Sequence, residues 1–157
     1  MRLILAYMLV MAAMAPAALG PEVVKNGDFF VDELWEKGTG WTITDGNALH
    51  VSAGFSRGSL VQTLPDLVAG ATYEVRYTVS AMTTVGLGYI TVHLGGTEGG
   101  PYPANYEVVE TLVAGDSGCI EFEPVMAAGS TCRIDNVSVR RIVESTLGGD
   151  FDDDGTV

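Results

Sequence analysis

Tyr73-Glu74-Val75-Arg76-Tyr77-Thr78-Val79-Ser80-Ala81 alternates large apolar and polar side chains almost without a break. Tyr73, Val75, Tyr77, Val79 and Ala81 fall on one side and Glu74, Arg76, Thr78 and Ser80 on the other, the period of two that marks a strand with one dry and one wet face. Working outward, Tyr89 to Gly95 repeats the scheme, with Ile90, Val92 and Leu94 on one side and Tyr89, Thr91 and His93 on the other. The segment Thr83 to Gly88 supplies the turn between the two.

The same reading predicts strands at Glu22 to Phe29, Trp41 to Thr44, Ala48 to Ser52, Ser59 to Leu64, Asn105 to Val113, Gly118 to Pro124 and Cys132 to Ile142. Glycine-based turn chemistry separates several of them, at Asp45-Gly46-Asn47, Ala69-Gly70, Gly95-Gly96 and Ala114-Gly115-Asp116. No sustained helical period follows the N-terminal segment. Short strands at regular spacing without crossover helices predict an all-β fold, an antiparallel β-sandwich, with jelly roll as the preferred topology. An immunoglobulin-like sandwich satisfies the same alternation.

A chain of 157 residues, 47% hydrophobic and 18% charged, can bury one good core. The net charge of −12, with only 8 Lys and Arg, argues against a nucleic-acid partner, because phosphate binding needs a cationic face. Arg2, the apolar run Leu3 to Ala15 and the small residues Ala15-Pro16-Ala17-Ala18 have the form of a secretory signal peptide, and the apolar run is shorter than a spanning helix needs. The expected organisation is a leader over residues 1–20, a β-sandwich domain over 21–143, and a linker with an acidic tail over 144–157. Export implies a secreted or cell-surface protein with no membrane contact after cleavage. It would also permit a Cys119–Cys132 disulfide, although a direct turn between their strands would set Cys132 opposite Phe122 and require a bulge or a sheet-to-sheet contact for pairing.

The order Asn26-Gly27-Asp28-Phe29, Gly40-Trp41-Thr42-Ile43, Asn47-Ala48-Leu49-His50, Leu60-Val61-Gln62-Thr63-Leu64, Ala69-Gly70-Ala71-Thr72-Tyr73 and Ile134-Asp135-Asn136-Val137-Ser138-Val139 resembles the jelly-roll carbohydrate-binding modules of families 4, 9 and 22, within the galactose-binding-like superfamily. The resemblance implies a non-catalytic module that binds polysaccharide or glycan. Pyranose C–H faces stack on aromatic rings while the hydroxyls need placed donors and acceptors. Tyr89, His93 and Arg76 are the expected lining of such a groove, with Trp35, Tyr102 and Tyr106 as walls, whereas Trp41 matches a buried core position. The resemblance also implies one structural calcium near Asp28 and Asp135, with Phe30 standing where many relatives carry another acid.

The tail Asp150-Phe151-Asp152-Asp153-Asp154-Gly155-Thr156-Val157 matches the first eight positions of an EF-hand-type loop, with acids Asp150, Asp152 and Asp154 at positions one, three and five. It resembles the opening of a dockerin repeat, whose completed form docks on a cohesin-like protein. The acid at position twelve is missing, so the expected behaviour is that of a solvated acidic tail. Gly54-Phe55-Ser56-Arg57-Gly58 fits G-x-S-x-G without the strand-to-helix context of a hydrolase, and His50 and His93 are too few for a zinc site. The competing readings are a structural or adhesive module that binds protein, and a hydrolase, which would need a buried carboxylate pair or a Ser-His contact in a cleft.

Overall fold

The computed structural model describes residues 17–54, 58–86, 88–103 and 105–143. They form eleven strands: β1 (Ala18–Glu22), β2 (Glu36–Lys37), β3 (Trp41–Thr44), β4 (Asn47–Val51), β5 (Leu60–Thr63), β6 (Thr72–Thr83), β7 (Tyr89–Leu94), β8 (Thr97–Tyr102), β9 (Tyr106–Val113), β10 (Cys119–Val125) and β11 (Thr131–Val143). All pairings are antiparallel. A six-stranded sheet has the order β3-β4-β11-β6-β9, with β1 joining the far end of β11, and a five-stranded sheet has the order β2-β5-β10-β7-β8. The fold is an antiparallel β-sandwich of jelly-roll type, as the alternation predicts.

Local turn chemistry closes the two tight hairpins. Asp45 and Gly46, at φ 53° and 71°, join Thr44 to its cross-strand partner Asn47; Gly95 and Gly96, at φ 61° and 93°, join Leu94 to Thr97. Two consecutive left-handed residues make the type I′ turn whose twist matches the flanking strands. The other connections mostly cross from one sheet to the other, so the inward side chains of β6 and β11 meet those of β5, β7 and β10. Val75, Ala48, Leu60, Ile90, Val92, Ile120, Phe122 and Ile134 have no exposed surface at all. Trp41 is 5% exposed, a core residue as expected, and its ring packs 5.0 Å from that of buried His50. Burial lowers the His50 pKa, so the imidazole is held neutral in the interior.

Through this core runs a file of aromatic rings: Phe29–Trp35 at 5.1 Å, Trp35–Phe122 at 6.2 Å, Phe122–Tyr77 at 5.0 Å, Tyr77–Tyr102 at 6.1 Å and Tyr102–Tyr106 at 5.8 Å. Trp35, expected as a groove wall, is therefore a core residue, 5% exposed, with its indole N–H donating to the Asn26 carbonyl. A ring so enclosed has no face left for a ligand.

Three elements differ from expectation. The first strand ends at Glu22 rather than running to Phe29, because Asn26 and Phe29 adopt left-handed backbone (φ 50° and 51°); beyond Glu22 the chain keeps only single bonds to β11, Val23 N–H to Val139 O and Val137 N–H to Gly27 O. Thr97 to Tyr102, which reads as Gly- and Pro-rich loop, forms β8, and the edge position explains it, since an edge strand pairs on one side only and tolerates both residues. The two-residue β2 has no pattern long enough to read. Of the expected leader, residues 1–16 lie outside the described residues, and Ala18 and Leu19 pair with Val143 and Ile142.

Removing the ring at the centre of the aromatic file tests the core. Phe122→Ala is expected to lower unfolding stability by about 3–5 kcal/mol in urea titration, with an unchanged slope. A loss below about 1 kcal/mol would mean that the file does not hold the sheets together.

Candidate binding face

The two outer faces of the sandwich are not alike. On the six-stranded sheet Arg76 and Arg140 are 45% and 48% exposed and Val109 and Val113 49% and 51%, whereas Glu74, Thr78, Ser80 and Ser138 are half-buried, and a hollow of about 280 Å³ is lined by Leu19, Glu74, Arg76, Ser138 and Arg140. On the five-stranded sheet the outward residues of the central strands are sheltered. Thr91 is 5% exposed although it points away from the core, and the side chains of His93 and Glu123 are 18% and 21% exposed. Tyr89, Cys119, Glu121 and Val125 are also half-buried, while Glu36, Thr63 and Glu98 at the flanks are exposed. This sheltered strip along β7 and β10, flanked by exposed residues, is the trough of the five-stranded sheet.

Register assembles the floor. His93 on β7 lies between Glu121 on β10 and Glu98 on β8; Thr91 lies beside Glu123, and Tyr89 beside Val125. Glu121 continues through Val61 on β5 to Glu36 on β2. The Thr91 hydroxyl donates to the Glu123 carbonyl at 3.4 Å, which leaves its oxygen to accept from His93 Nε2, 3.3 Å away; the same nitrogen is 3.6 Å from a Glu123 carboxylate oxygen. The outward positions of these strands carry Glu36, Glu98, Glu121 and Glu123 and no lysine or arginine. The floor thus offers one aromatic ring, one hydroxyl, one imidazole and several carboxylate acceptors.

Tyr89 and His93 share this floor, as their common parity predicts. Arg76 does not join them: it lies on β6 in the other sheet, across the core, where it bonds Glu74 at 2.6 Å and approaches Glu107 at 3.8 Å. The chain crosses the sandwich between β6 and β7, so two wet faces that look adjacent in sequence point in opposite directions. The same topology separates the cysteines. Cys119 faces the trough from β10, Cys132 faces the core from β11, and both are free thiols, which corrects the expected disulfide. Burial pushes the Cys132 thiol up to about 12.

Tyr102 and Tyr106 are brought together, but at the open edge between β8 and β9 rather than on the trough. Tyr102 is in register with inward-facing Ile90, and with Tyr77 it encloses Glu110, an inward-pointing carboxylate of β9. The Tyr102 hydroxyl donates to Glu110 Oε2 at 3.0 Å. Glu110 Oε1 and the Tyr77 hydroxyl are buried without a hydrogen bond of normal geometry. A Cβ on Gly99 would come within 2.5 Å of the Glu110 carboxylate, so a larger residue there would require the Glu110 side chain to shift. Burial raises the Glu110 pKa in spite of the Tyr102 bond, and burial pushes the Tyr102 phenol up to about 12. Glu110 escapes a reading of the sequence because it occupies a core position on a strand whose other polar residues face water.

At the expected calcium position, the Asp28 carboxylate accepts from Phe30 N–H at 3.4 Å and the Asp135 carboxylate from Asn136 N–H at 2.6 Å. Each is turned to its own backbone, and among the described residues no three His, Cys, Asp or Glu side chains gather as a metal-holding group. A calcium shell of six to eight oxygens at this place would need backbone carbonyls in addition to these two carboxylates. Asp150, Asp152 and Asp154 lie outside the described residues.

No protein-family model matches the chain, and no curated protein matches it. Solved structures do match. A family 4 carbohydrate-binding module is 14% identical, with a TM-score of 0.52 over 74% of this chain and 98% of the module. The first family 22 module, a xylan-binding domain, of Paenibacillus barcinonensis Xyn10C is 12% identical, with a TM-score of 0.51 over 84% of this chain and 99% of the domain. A variant of a family 29 module solved with mannohexaose is 16% identical, with a TM-score of 0.50 over 82% and 94%. At these identities the match establishes the fold, that of the jelly-roll carbohydrate-binding modules.

Glu110 makes a pH test. Its folded pKa is raised, so the folded chain holds the proton more tightly than the unfolded chain, and stability falls as pH rises from the ordinary value of 4.5 through the folded value. Glu110→Gln, which cannot ionise, is therefore expected to melt above the parent protein at neutral pH, the difference closing below pH 4.5. A variant less stable at neutral pH than in acid, relative to the parent, would show that the carboxylate is stabilised by its cage.

Proposed function

We propose that this protein is a non-catalytic carbohydrate-binding module of an exported protein, and that it holds polysaccharide along the trough of the five-stranded sheet. The observation that carries the reading is the sheltered outward strip of β7 and β10, where Tyr89, Thr91, His93, Glu121 and Glu123 lie side by side although all point away from the core. A sugar chain is amphiphilic in the same way as this strip. Its C–H faces stack on the Tyr89 ring, and its hydroxyls donate to the carboxylates and exchange hydrogen bonds with Thr91 and His93. No bond is made or broken, so affinity and residence time are the whole of the function. The fold neighbours described as xylan-binding or solved with mannohexaose support a polysaccharide as the ligand class.

Affinity electrophoresis against soluble xylan, mannan and β-glucan tests the reading. At least one polysaccharide is expected to retard the protein, and Tyr89→Ala is expected to weaken that binding by about tenfold to a hundredfold, the worth of one stacked ring. The same polysaccharide is expected to slow alkylation of Cys119, which lies on the trough floor, while Cys132 stays unreactive until the protein unfolds. Folded protein that none of the polysaccharides retards would defeat the proposal.

A further inference from the structure

At the β2–β5 flank of the trough lies a cleft of about 330 Å³. The connection is direct: Glu36, opposite Val61, and Thr63, opposite Cys119, are outward residues of the trough, and both also line the cleft. The volume is at the small end of the range for ligand sites, about 300–1,000 Å³, which suits one ring rather than a long ligand.

The walls divide by chemistry. Val23, Leu34 and Pro65 supply apolar surface; Lys25, Glu36 and Asp66 supply charges of both signs. That mixture matches a ring with apolar faces and hydroxyl edges, and it favours neither an anion nor a cation. The floor is fixed in place. The Gln62 amide, 3% exposed, accepts from Lys25 N–H at 2.8 Å and donates to Lys25 O at 2.7 Å, so both its oxygen and its nitrogen are bonded to the Lys25 backbone.

The Leu34 wall is also held, and at some strain. Leu34 sits in left-handed backbone (φ 69°) and is 62% exposed. The preceding loop is pinned by Asn26, whose amide donates to Val31 O at 2.7 Å and Glu33 O at 3.1 Å. Strain of this kind persists only where the surroundings impose it, and it is concentrated at ligand sites. The result is an apolar side chain presented rigidly at the mouth of a cleft that flanks the trough.

We infer that this cleft is a terminal subsite that seats one uncharged pyranose unit of the glycan lying in the trough. The inference rests on the carbohydrate-binding reading above and adds to it a direction, with the chain running along β7 and β10 from Tyr89 towards Cys119 and then over Thr63, and a site length set by the distance from Tyr89 to Leu34. An uncharged end unit fits the mixed charges of Lys25, Glu36 and Asp66 better than a uronate, which would meet two carboxylates.

Calorimetric titration of the full chain with xylo- and manno-oligosaccharides, from the disaccharide to the octasaccharide, tests it, with Leu34→Asn as the variant. Asparagine tolerates left-handed backbone and position 34 is exposed, so the variant keeps the fold. The parent protein is expected to gain affinity with length until the chain fills both trough and cleft. Leu34→Asn is expected to bind the short oligomers as the parent does and to lose about tenfold for the longest. Equal binding of every length by the two proteins, or an equal loss at every length, would overturn the terminal subsite while leaving the trough reading intact. Binding of no oligosaccharide by the folded parent would overturn both.

Discussion

The edge-to-face contact between Tyr77 and Phe122, 5.0 Å between ring centres, is where the two sheets meet. One ring projects from β6 at the middle of the six-stranded sheet and the other from β10 at the middle of the five-stranded sheet. Each is wholly buried, and the pair is worth about 0.5–1.5 kcal/mol beyond the area it removes from water. Its larger effect is geometric. Rings on facing strands fix which inward positions oppose one another, and because side chains alternate along a strand, they fix every outward position as well.

The trough inherits that arrangement. Phe122 points inward, so its neighbours Glu121 and Glu123 point outward; Ile90 and Val92 point inward, so Tyr89, Thr91 and His93 point outward. Antiparallel pairing of β7 with β10 then sets His93 opposite Glu121 and Thr91 opposite Glu123. At one end of the aromatic file, Trp35 fastens the loop that carries Leu34 by donating to Asn26. At the other, Tyr102 and Tyr106 close the β8–β9 edge over Glu110. This face and both of its flanks are therefore held by one continuous file of rings, buried from Phe29 to Tyr77 and partly exposed at Tyr102 and Tyr106.

Much of the fold was legible because its signals are local. The alternation from Tyr73 to Ala81 and from Tyr89 to Leu94 needs only neighbouring residues to be read, and so do the Asp45-Gly46 and Gly95-Gly96 turns. The failures are equally physical. Gly99, Gly100 and Pro101 look like loop because their intrinsic preference is for turns, but Gly99 pairs with Val92 while Gly100, at φ 91°, and Pro101 sit in a register irregularity of the kind an edge strand accommodates. Asn26 and Phe29 end the first strand through left-handed backbone that no residue pattern announces. Trp35 looks available because it sits among charged residues, Asp32, Glu33, Glu36 and Lys37, while its ring packs between Phe29 and Phe122.

By itself the sequence determined the parity of the longer alternating strands, the positions of the tight turns, the acidic balance and an antiparallel β-sandwich, since all of these follow from near neighbours and composition. It placed Tyr89 and His93 on one face for the same reason. Only the tertiary structure decided which strands are neighbours. That choice put Arg76 on the opposite side of the molecule, separated Cys119 from Cys132, and gathered Glu121, Glu123 and Glu36 around a hollow. It also buried Glu110 among tyrosines from three strands. Pairing between distant strands is settled by how two whole layers of side chains fit together, and that information is spread over the entire core rather than written in any one stretch of chain.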